Sequence, residues 1–600
     1  MKHLLSTAAA LALTACAAAT LPPETAASAP ASRADQQFAT LAARYIASLT
    51  RLSPVEATGL GEHRYDDRLP DITAGGRAAR ETEWRAILGE LAHVDRSRLS
   101  RDNQVDFALL DNELRYKLWS NDRLQEWAWD TQGYNDTAGS ALYRLAARDF
   151  APWPVRLRSA TARMEALPGF FAETRRQLVP ARVPKIWAET LARQNPGIVQ
   201  IVEDMLVPQA GALTGAERTR FDAALAGLKT AVAEHQRWID GTLVPQARGE
   251  ARLGAQVYDE KMRFALQSDL TRPELKARAL AAKAEARAEM YRLAREVLAG
   301  RAGAPPLPAE PSASQQQAGI EAALALSYAV RPNRDRLEQR ARETLAQATE
   351  FVRRKGFIRM PDGPVKIITM PKFQQGFAVA YDDAPGALER NLDNFYAVSP
   401  IPEEWSDAQA TSFLSEYNDY MIHDLSVHEA VPGHYLQLDH ASRDPSVLRA
   451  VLGSGPFVEG WAVYSERLMA EHDYLGADTL DGRLYKLTVL KMRLRSITNT
   501  LLDIGFHTEG LTREGAMELM TQGAFQQERE AAGKWTRANL SSVQLLSYFT
   551  GYAEHMALRD EARARWGKNF DLRKYNDAVL SHGSPPVRYV RALMFGLPVG

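Results

Sequence analysis

The chain has 600 residues, with 73 lysines and arginines against 74 aspartates and glutamates, and 45% of its residues are hydrophobic. This composition is typical of a globular protein and excludes a disordered or fibrous chain. Because the charges balance, we expect no nucleic-acid partner. A single cysteine excludes an internal disulfide framework and a cysteine-rich zinc site. Any bound metal would therefore need histidine and carboxylate ligands.

The N-terminus has the pattern of an export signal. A short basic start precedes an apolar run, residues 4–15, that is too short to span a membrane. The run ends Leu-Thr-Ala and is followed by Cys16, which resembles the bacterial lipobox, where the cysteine carries lipid. The alternative is an ordinary secretory signal with an incidental cysteine. We predict a lipoprotein signal peptide over 1–15 and a flexible Ala/Pro/Ser/Thr-rich tether over 16–35.

The predicted location follows from this signal. The residue after the cysteine is alanine, which resembles the bacterial signal for sorting to the outer membrane. We therefore expect a cell-envelope lipoprotein that faces the periplasm and touches the membrane only through its N-terminal lipid.

Helical periodicity dominates the chain after the tether. Ser53-Pro54 and Thr271-Arg272-Pro273 have the residues expected at helix N-termini. We predict a mainly α fold with a helical domain over 36–300. The segments with the clearest apolar spacing are 37–49, 77–91, 102–118, 154–167, 216–239 and 273–299.

The pattern changes in the second half of the chain. Residues 301–319, rich in Pro, Gly, Ser and Gln, predict a linker or hinge. Helical periodicity resumes over 320–355. Short β-branched or aromatic segments then predict a small antiparallel sheet. These segments are 365–370, 377–381 and 394–398.

The next segment carries the most chemistry and reads His428-Glu429-x-x-Pro432-Gly433-His434. In a zinc-peptidase helix, the pattern H-E-x-x-H places two histidines one turn apart, with the glutamate as base. Here the histidines are six residues apart, so an unbroken helix would point them about 120° apart. Pro432 interrupts helical hydrogen bonding and Gly433 readily takes left-handed angles. A bulge there would bring His434 beside His428, so the spacing permits a shared metal ion without requiring one.

Residues 456–466 supply two carboxylates. A catalytic zinc with two histidine ligands needs a third protein ligand and an open position. Glu459 and Glu466 are seven residues apart and so lie on one face of a helix. One can bind the metal while the other orients a histidine, and the spacing leaves open which does which.

Several stretches resemble one known family. The motifs at 428–434 and 458–462 resemble those of the bacterial domain-of-unknown-function 885 (DUF885) family, which is similar to the gluzincin zinc peptidases. The stretches at 503–507 and 544–551 resemble the same family. The resemblance covers most of the chain after the tether.

The resemblance implies a site with one zinc ion. Its ligands would be His428, His434 and Glu459, and Glu429 would be the general base. Tyr435 departs from the histidine that many family members carry after the second ligand. This departure leaves the ligand set intact but puts the surroundings of the ligands in doubt.

The resemblance also implies the activity, which is hydrolysis of short or unfolded peptides by a zinc-activated water with Glu429 as base. Tyr548 is the expected oxyanion donor, because related peptidases place such a donor late in the chain. Glu466, His507 and His582 are weaker candidates for contacts to the ligands or the substrate.

The implied fold is a large helical, gluzincin-like one, with a deep cleft and the small sheet beside the active-site helix. The catalytic zinc-binding region would span 320–600, and strand 394–398 would pair with an extended peptide, as edge strands do. Two other functions stay open. One is a lipoprotein that binds peptides or envelope components around a structural zinc, and the other is a zinc amidase acting on cell-wall peptides.

Overall fold

The computed structural model describes residues 32–361, 363–370, 380–389 and 392–599. The predicted signal peptide, Cys16 and most of the tether lie outside the described residues. Within the described ranges the chain is mainly helical, as the periodicity predicts. No helix in these ranges is both long enough and apolar enough to cross a membrane.

The helices fall on either side of the proline-rich connection. Those before it are α1 (Arg33–Leu52), α2 (Pro54–Leu60), α3 (Ala74–Leu91), α4 (Arg101–Trp119), α5 (Thr131–Ala147), α6 (Trp153–Gln177), α7 (Lys185–Gln194), α8 (Gly197–Ile201), α9 (Gly215–Trp238), α10 (Val244–Gln246), α11 (Ala255–Leu266) and α12 (Arg272–Leu298). Those after it are α13 (Ala313–Ala329), α14 (Leu337–Lys355), α15 (Asp407–Glu416), α16 (Asp419–Glu429), α17 (His434–Ala441), α18 (Val447–Val451), α19 (Gly455–Glu471), α20 (Leu480–Glu509), α21 (Arg513–Ala524), α22 (Glu528–Leu540), α23 (Ser547–Trp566), α24 (Leu572–Leu580) and α25 (Val587–Phe595).

Each of the six clearest helical segments of the sequence lies on one of these helices and passes its end by at most one residue, although α6 continues ten residues beyond the predicted segment. Two other boundaries differ. The helix predicted over 320–355 is two helices, α13 and α14, because Pro332 lacks an N–H and disfavours helical angles in the residue before it. Helix α1 begins inside the predicted tether, because Ser32 and Asp35 form a capping box.

One core extends across the proline-rich connection. The largest cluster of buried apolar side chains runs from Tyr258 to Val590 and includes residues of α12 and α20. Helix α12 precedes the connection yet packs along α20, which follows it. The predicted linker, residues 301–319, does not separate two cores. Its first part belongs to a largely exposed loop over 299–312, and its second part is the start of α13.

The three strands form one sheet in the order β1-β3-β2. They are β1 (Val365–Thr369), β2 (Ala380–Asp383) and β3 (Asn394–Val398). Strand β2 is antiparallel to β3, but β1 is parallel to it. The prediction of a wholly antiparallel sheet is therefore wrong for β1, because β3 enters between the two earlier strands. Residues 377–379, predicted as part of the second strand, lie outside the described residues.

This strand order changes which strand is open to a ligand. Strand β3 has a neighbour on both sides, so its backbone hydrogen bonds go to β1 and β2. The prediction that residues 394–398 pair with a peptide is therefore wrong. In the described sheet, β2 is an outer strand and lies against α16.

Helices α19 and α23 cross at two glycines. A Cβ added to Gly460 of α19 would lie 2.3 Å from the carbonyl carbon of Gly551 in α23. A Cβ added to Gly551 would lie 1.8 Å from the carbonyl oxygen of Pro456. Neither position accepts a side chain unless the helices separate. Because Glu459 and Tyr548 lie one and three residues from these glycines, the crossing sets the separation of the helices that carry them.

Candidate metal centre

The two histidines of the motif lie on separate helices. Helix α16 ends at Glu429 and α17 begins at His434, so the predicted break is present. The role of Gly433 in this break differs from the prediction, because its φ is -78° and not left-handed. A Cβ there would lie 1.9 Å from the carbonyl oxygen of His428 and 2.3 Å from that of Val427. Glycine is therefore needed for close backbone approach and not for left-handed angles.

The turn between α16 and α17 is fixed to α19 through the carbonyl oxygen of Pro432. Nε1 of Trp461 donates a hydrogen bond to this oxygen at 2.9 Å, and Oγ of Ser465 donates at 3.1 Å. All of these groups are buried. Because α19 also carries Glu459 and Glu466, these two bonds position the histidines relative to the carboxylates.

Three side chains converge beside this turn. Oε2 of Glu459 lies 3.5 Å from Nε2 of His434 and 3.8 Å from Nε2 of His428. The imidazole planes are nearly perpendicular, at 88°. Ligand atoms around one tetrahedral zinc ion are about 3.3 Å apart, close to these separations. Within the described chain this is the one cluster of three or more His, Cys, Asp or Glu side chains with the spacing of a metal site.

Glu466 lies behind this cluster. Its Oε1 accepts a hydrogen bond from Nδ1 of His428 at 2.6 Å, and the carboxylate is buried. Since a carboxylate can only accept, Nδ1 carries the proton and Nε2 keeps its lone pair for a metal ion. Of the two carboxylates that the spacing left open, Glu459 therefore lies with the Nε2 atoms and Glu466 orients a histidine.

Glu429 faces the sheet. Its Oε2 accepts a hydrogen bond from the backbone N–H of Asp382 in β2 at 3.1 Å. Burial raises the pKa of Glu429, although the neighbouring His428 and His434 oppose the rise. The Glu429 carboxylate is thus held by a backbone donor of β2 and lies in sequence next to the candidate ligand His428.

Asp382 is a site residue that the sequence analysis did not identify. Both of its carboxylate oxygens are buried without a hydrogen-bond partner, and so is Nδ1 of His434. Burial raises the pKa of Asp382 well above its usual value, and the charge of Glu429 adds to the rise. The one signal in the sequence was an acidic pair, Asp382-Asp383, after a short β-branched and aromatic segment. Such pairs are also common in turns.

Strand β2 is anchored from the first half of the chain. Arg148, which follows α5, donates to the backbone oxygens of Asp383 at 2.6 Å, Ala384 at 2.7 Å and Asp393 at 2.6 Å. It also donates to Oδ1 of Asp383 at 2.6 Å. The strand that positions Glu429 is thus held by a residue 235 positions before Asp383.

Tyr548 lies on the other side of Glu459. Its hydroxyl accepts a hydrogen bond from Nη2 of Arg537 at 3.1 Å. Burial acts to raise the pKa of Glu459, but the two histidines and Tyr548 lower it below its usual value. Burial and the charge of Glu459 raise the pKa of Tyr548 to about 12, so the hydroxyl keeps its proton at neutral pH. Tyr548 is therefore beside the ligand cluster with a proton to donate.

The two other candidate histidines are engaged elsewhere. Nε2 of His507 donates to the carbonyl oxygen of Ser541 at 2.8 Å, and its Nδ1 accepts from the N–H of Leu253 at 3.4 Å. His582 lies near Arg449, whose charge adds to burial in lowering the histidine's pKa. Neither ring belongs to the ligand cluster, because the helix and turn that carry them direct them to other contacts.

Comparisons with known proteins give a family and a fold. A family model described as "Bacterial protein of unknown function (DUF885)" matches residues 54–594. A candidate lipoprotein of unknown function from Shewanella oneidensis has a solved structure that is 32% identical in sequence, with a TM-score of 0.78. That match covers 93% of this chain and 99% of the other. No protein with a curated description matches the chain significantly.

A more distant relative has the same fold. The structure of a candidate lipoprotein from Colwellia psychrerythraea is 16% identical, with a TM-score of 0.74. The match covers 92% of this chain and 98% of that one. At this identity the comparison establishes the fold alone.

Proposed function

We propose that this chain, which belongs to the DUF885 family, is a zinc-dependent peptidase. The observation that carries the proposal is the convergence of His428, His434 and Glu459 next to the carboxylate of Glu429. Two imidazoles and one carboxylate are a ligand set of catalytic zinc sites, which keep one position open. The unpartnered, buried Nδ1 of His434 and the bond from Nδ1 of His428 to Glu466 both leave the Nε2 atoms for the metal.

Each side chain of the site has a role in this proposal. A bound zinc ion supplies a Lewis acid that polarises a carbonyl group and acidifies water. Glu429 accepts a proton from the attacking water and transfers it to the leaving amine. Tyr548 donates a hydrogen bond to the oxyanion that develops on the carbonyl oxygen. Glu466 keeps the ring of His428 in the tautomer and orientation that binding requires.

The proposed substrate is a peptide in extended conformation. Strand β2 is the outer strand of the described sheet, and the backbone N–H of Asp382 points away from β3 towards Glu429. An extended peptide bound along this edge would extend the sheet and lie beside the general base. The gluzincin-like deep cleft implied by the sequence is part of the same proposal, because such a cleft favours short or unfolded substrates.

The proposed location is the cell envelope. The lipobox-like sequence before Cys16 agrees with the description of two structural relatives as candidate lipoproteins. A lipid on Cys16 would hold the enzyme at the periplasmic face of a membrane, which we propose to be the outer membrane.

The test combines metal content with hydrolysis. We expect the purified protein to bind one zinc ion and to cleave members of a mixed peptide library, as read by mass spectrometry. Glu429→Gln should keep the zinc and lose at least about 100-fold in kcat. The exposed Glu528→Gln serves as a matched control. Full activity of zinc-loaded Glu429→Gln would contradict the proposal, and cleavage of peptidoglycan fragments without cleavage of linear peptides would favour the amidase.

A further inference from the structure

A largely buried lysine lies on the helix that also carries Arg537, the hydrogen-bond partner of Tyr548. Lys534, on α22, is 7% exposed. In the described chain its ammonium group forms neither a hydrogen bond nor an ion pair within 4.0 Å. The carboxylate of Glu459 acts on it electrostatically, as do Glu530, Arg495 and Arg537. A charge that has lost most of its contact with water and has no acid paired with it is costly, so the burial of this lysine needs an explanation.

The acid nearest to Lys534 along α22 does not pair with it. Glu530 is one turn before Lys534, but it is already paired with Arg495 and accepts a hydrogen bond from the hydroxyl of Tyr417 at 3.0 Å. Burial and the charge of Arg495 hold the pKa of Lys534 well below its usual value. An anion bound at this place would relieve that cost.

A second cation lies on the same face of α22. Arg537 is three residues after Lys534, which places the two side chains next to each other on the helix. Its partners in the described chain are neutral, namely Oε1 of Gln544 at 2.8 Å and the hydroxyl of Tyr548 at 3.1 Å. Tyr548 in turn forms a hydrogen bond with Glu459, so the guanidinium of Arg537 is linked to the ligand cluster. Lys534 interacts with Glu459 electrostatically.

We infer that Lys534 and Arg537 form a binding site for a carboxylate of the substrate, in the first instance the free C-terminal carboxylate of a short peptide. The inference rests on the proposed peptidase function and specifies its substrate class. Every unmodified peptide carries this anion, and an ammonium with a guanidinium binds it through charge-assisted hydrogen bonds. A site so close to the reacting carbonyl would restrict cleavage to bonds near the C-terminus. The side-chain carboxylate of an acidic residue in the peptide would be a second source of the same anion.

The experiment compares matched peptides that end in a free carboxylate, in an amide, or in an amide after a terminal glutamate. We expect the zinc-loaded wild type to cleave the free acid about 10 to 100 times faster than the plain amide, in terms of kcat/KM. Lys534→Met should lose most of this preference by slowing only the free acid, and Lys534→Arg should keep it. Arg529→Gln, which removes an exposed charge from the same helix, is the control. Cleavage of the glutamate amide at the rate of the free acid would identify the side-chain source.

A thermal measurement separates recognition from a structural role. If Lys534 serves the ligand and not the fold, Lys534→Met should raise the Tm of the ligand-free protein, because an unpaired buried charge is removed. An equal loss of rate on the acid and the amide would overturn the inference, since the cation would then act on the reacting carbonyl. So would the absence of any preference in the wild type.

A failure of the proposed function would be recognised separately. If the wild type cleaves no peptide, binding of the free acid and the amide to zinc-loaded Glu429→Gln, measured by calorimetry, still tests the carboxylate site. Tighter binding of the acid that Lys534→Met abolishes would support the site without the activity. Equal binding of the two peptides would overturn it.

Discussion

A substitution at the crossing of α19 and α23 tests whether this close contact sets the positions of Glu459 and Tyr548. In Gly551→Ala, the new Cβ would lie 1.8 Å from the carbonyl oxygen of Pro456 and 2.8 Å from Cα of Gly460, and both obstacles are backbone. Since Cβ contacts below 3.0 Å do not occur, the helices must separate by about 1 Å at this point. Overpacking of this kind costs about 1–3 kcal/mol of stability. The same displacement moves Tyr548 away from Glu459, and an error of about 1 Å in a catalytic group lowers a rate about 100-fold.

The assay measures the free energy of unfolding in denaturant together with kcat/KM on a peptide substrate. The matched control is Gly227→Ala on α9, where an added Cβ meets nothing within 4 Å. This control should be neutral or stabilised by up to about 1 kcal/mol, because alanine favours a helix over glycine. Wild-type stability and activity in Gly551→Ala would refute the assigned role of the crossing.

Two further predictions concern a bond behind the ligands and a charge far from them. Glu466→Gln should weaken zinc binding about 10- to 100-fold, because His428 loses its charged hydrogen-bond partner. Competition with a chelator measures this affinity. Glu471→Gln, on the same helix, should leave zinc affinity unchanged. His63 is paired with Asp66 at 2.8 Å and Glu389 at 3.0 Å, and although burial opposes it, these acids raise its pKa to about 9. The resulting stabilisation, about 1–3 kcal/mol, should be full below pH 6.5 and lost as the pH rises through 9. The difference in unfolding free energy between the wild type and His63→Gln should shrink accordingly, and a constant difference would contradict the assignment.

The helices and the three side chains of the candidate site were predictable because their signals are local. Apolar spacing within one segment determined α1 and α12, and the capping residues Thr271 and Glu274 mark the start of α12. The motif at 428–434 and the acid Glu459 can likewise be read within short windows. The choice between Glu459 and Glu466 could not be made from spacing, because it depends on which ring nitrogen each carboxylate meets.

The remainder depends on contacts between distant segments. The parallel pairing of β1 with β3 has no local signal, so the sheet was predicted with the wrong direction for one strand. Gly433 was interpreted through its conformational freedom, whereas the neighbouring carbonyl oxygens decide its identity. Asp382 and Lys534 were missed because an ordinary acid and an ordinary lysine become unusual only when contacts between distant segments bury them.

Because Arg148 anchors β2, the candidate metal centre could not be moved into another protein with all of its contacts. The helices that carry the three candidate ligands, α16, α17 and α19, lie close together in the sequence and could be transferred as one segment. The hydrogen bond that holds Glu429, however, comes from strand β2, which is anchored by Arg148 from a distant part of the sequence. A transplanted segment would retain the three candidate ligands and lose the backbone donor that holds Glu429. The candidate ligands and the residue that anchors strand β2 are therefore encoded in different parts of the gene.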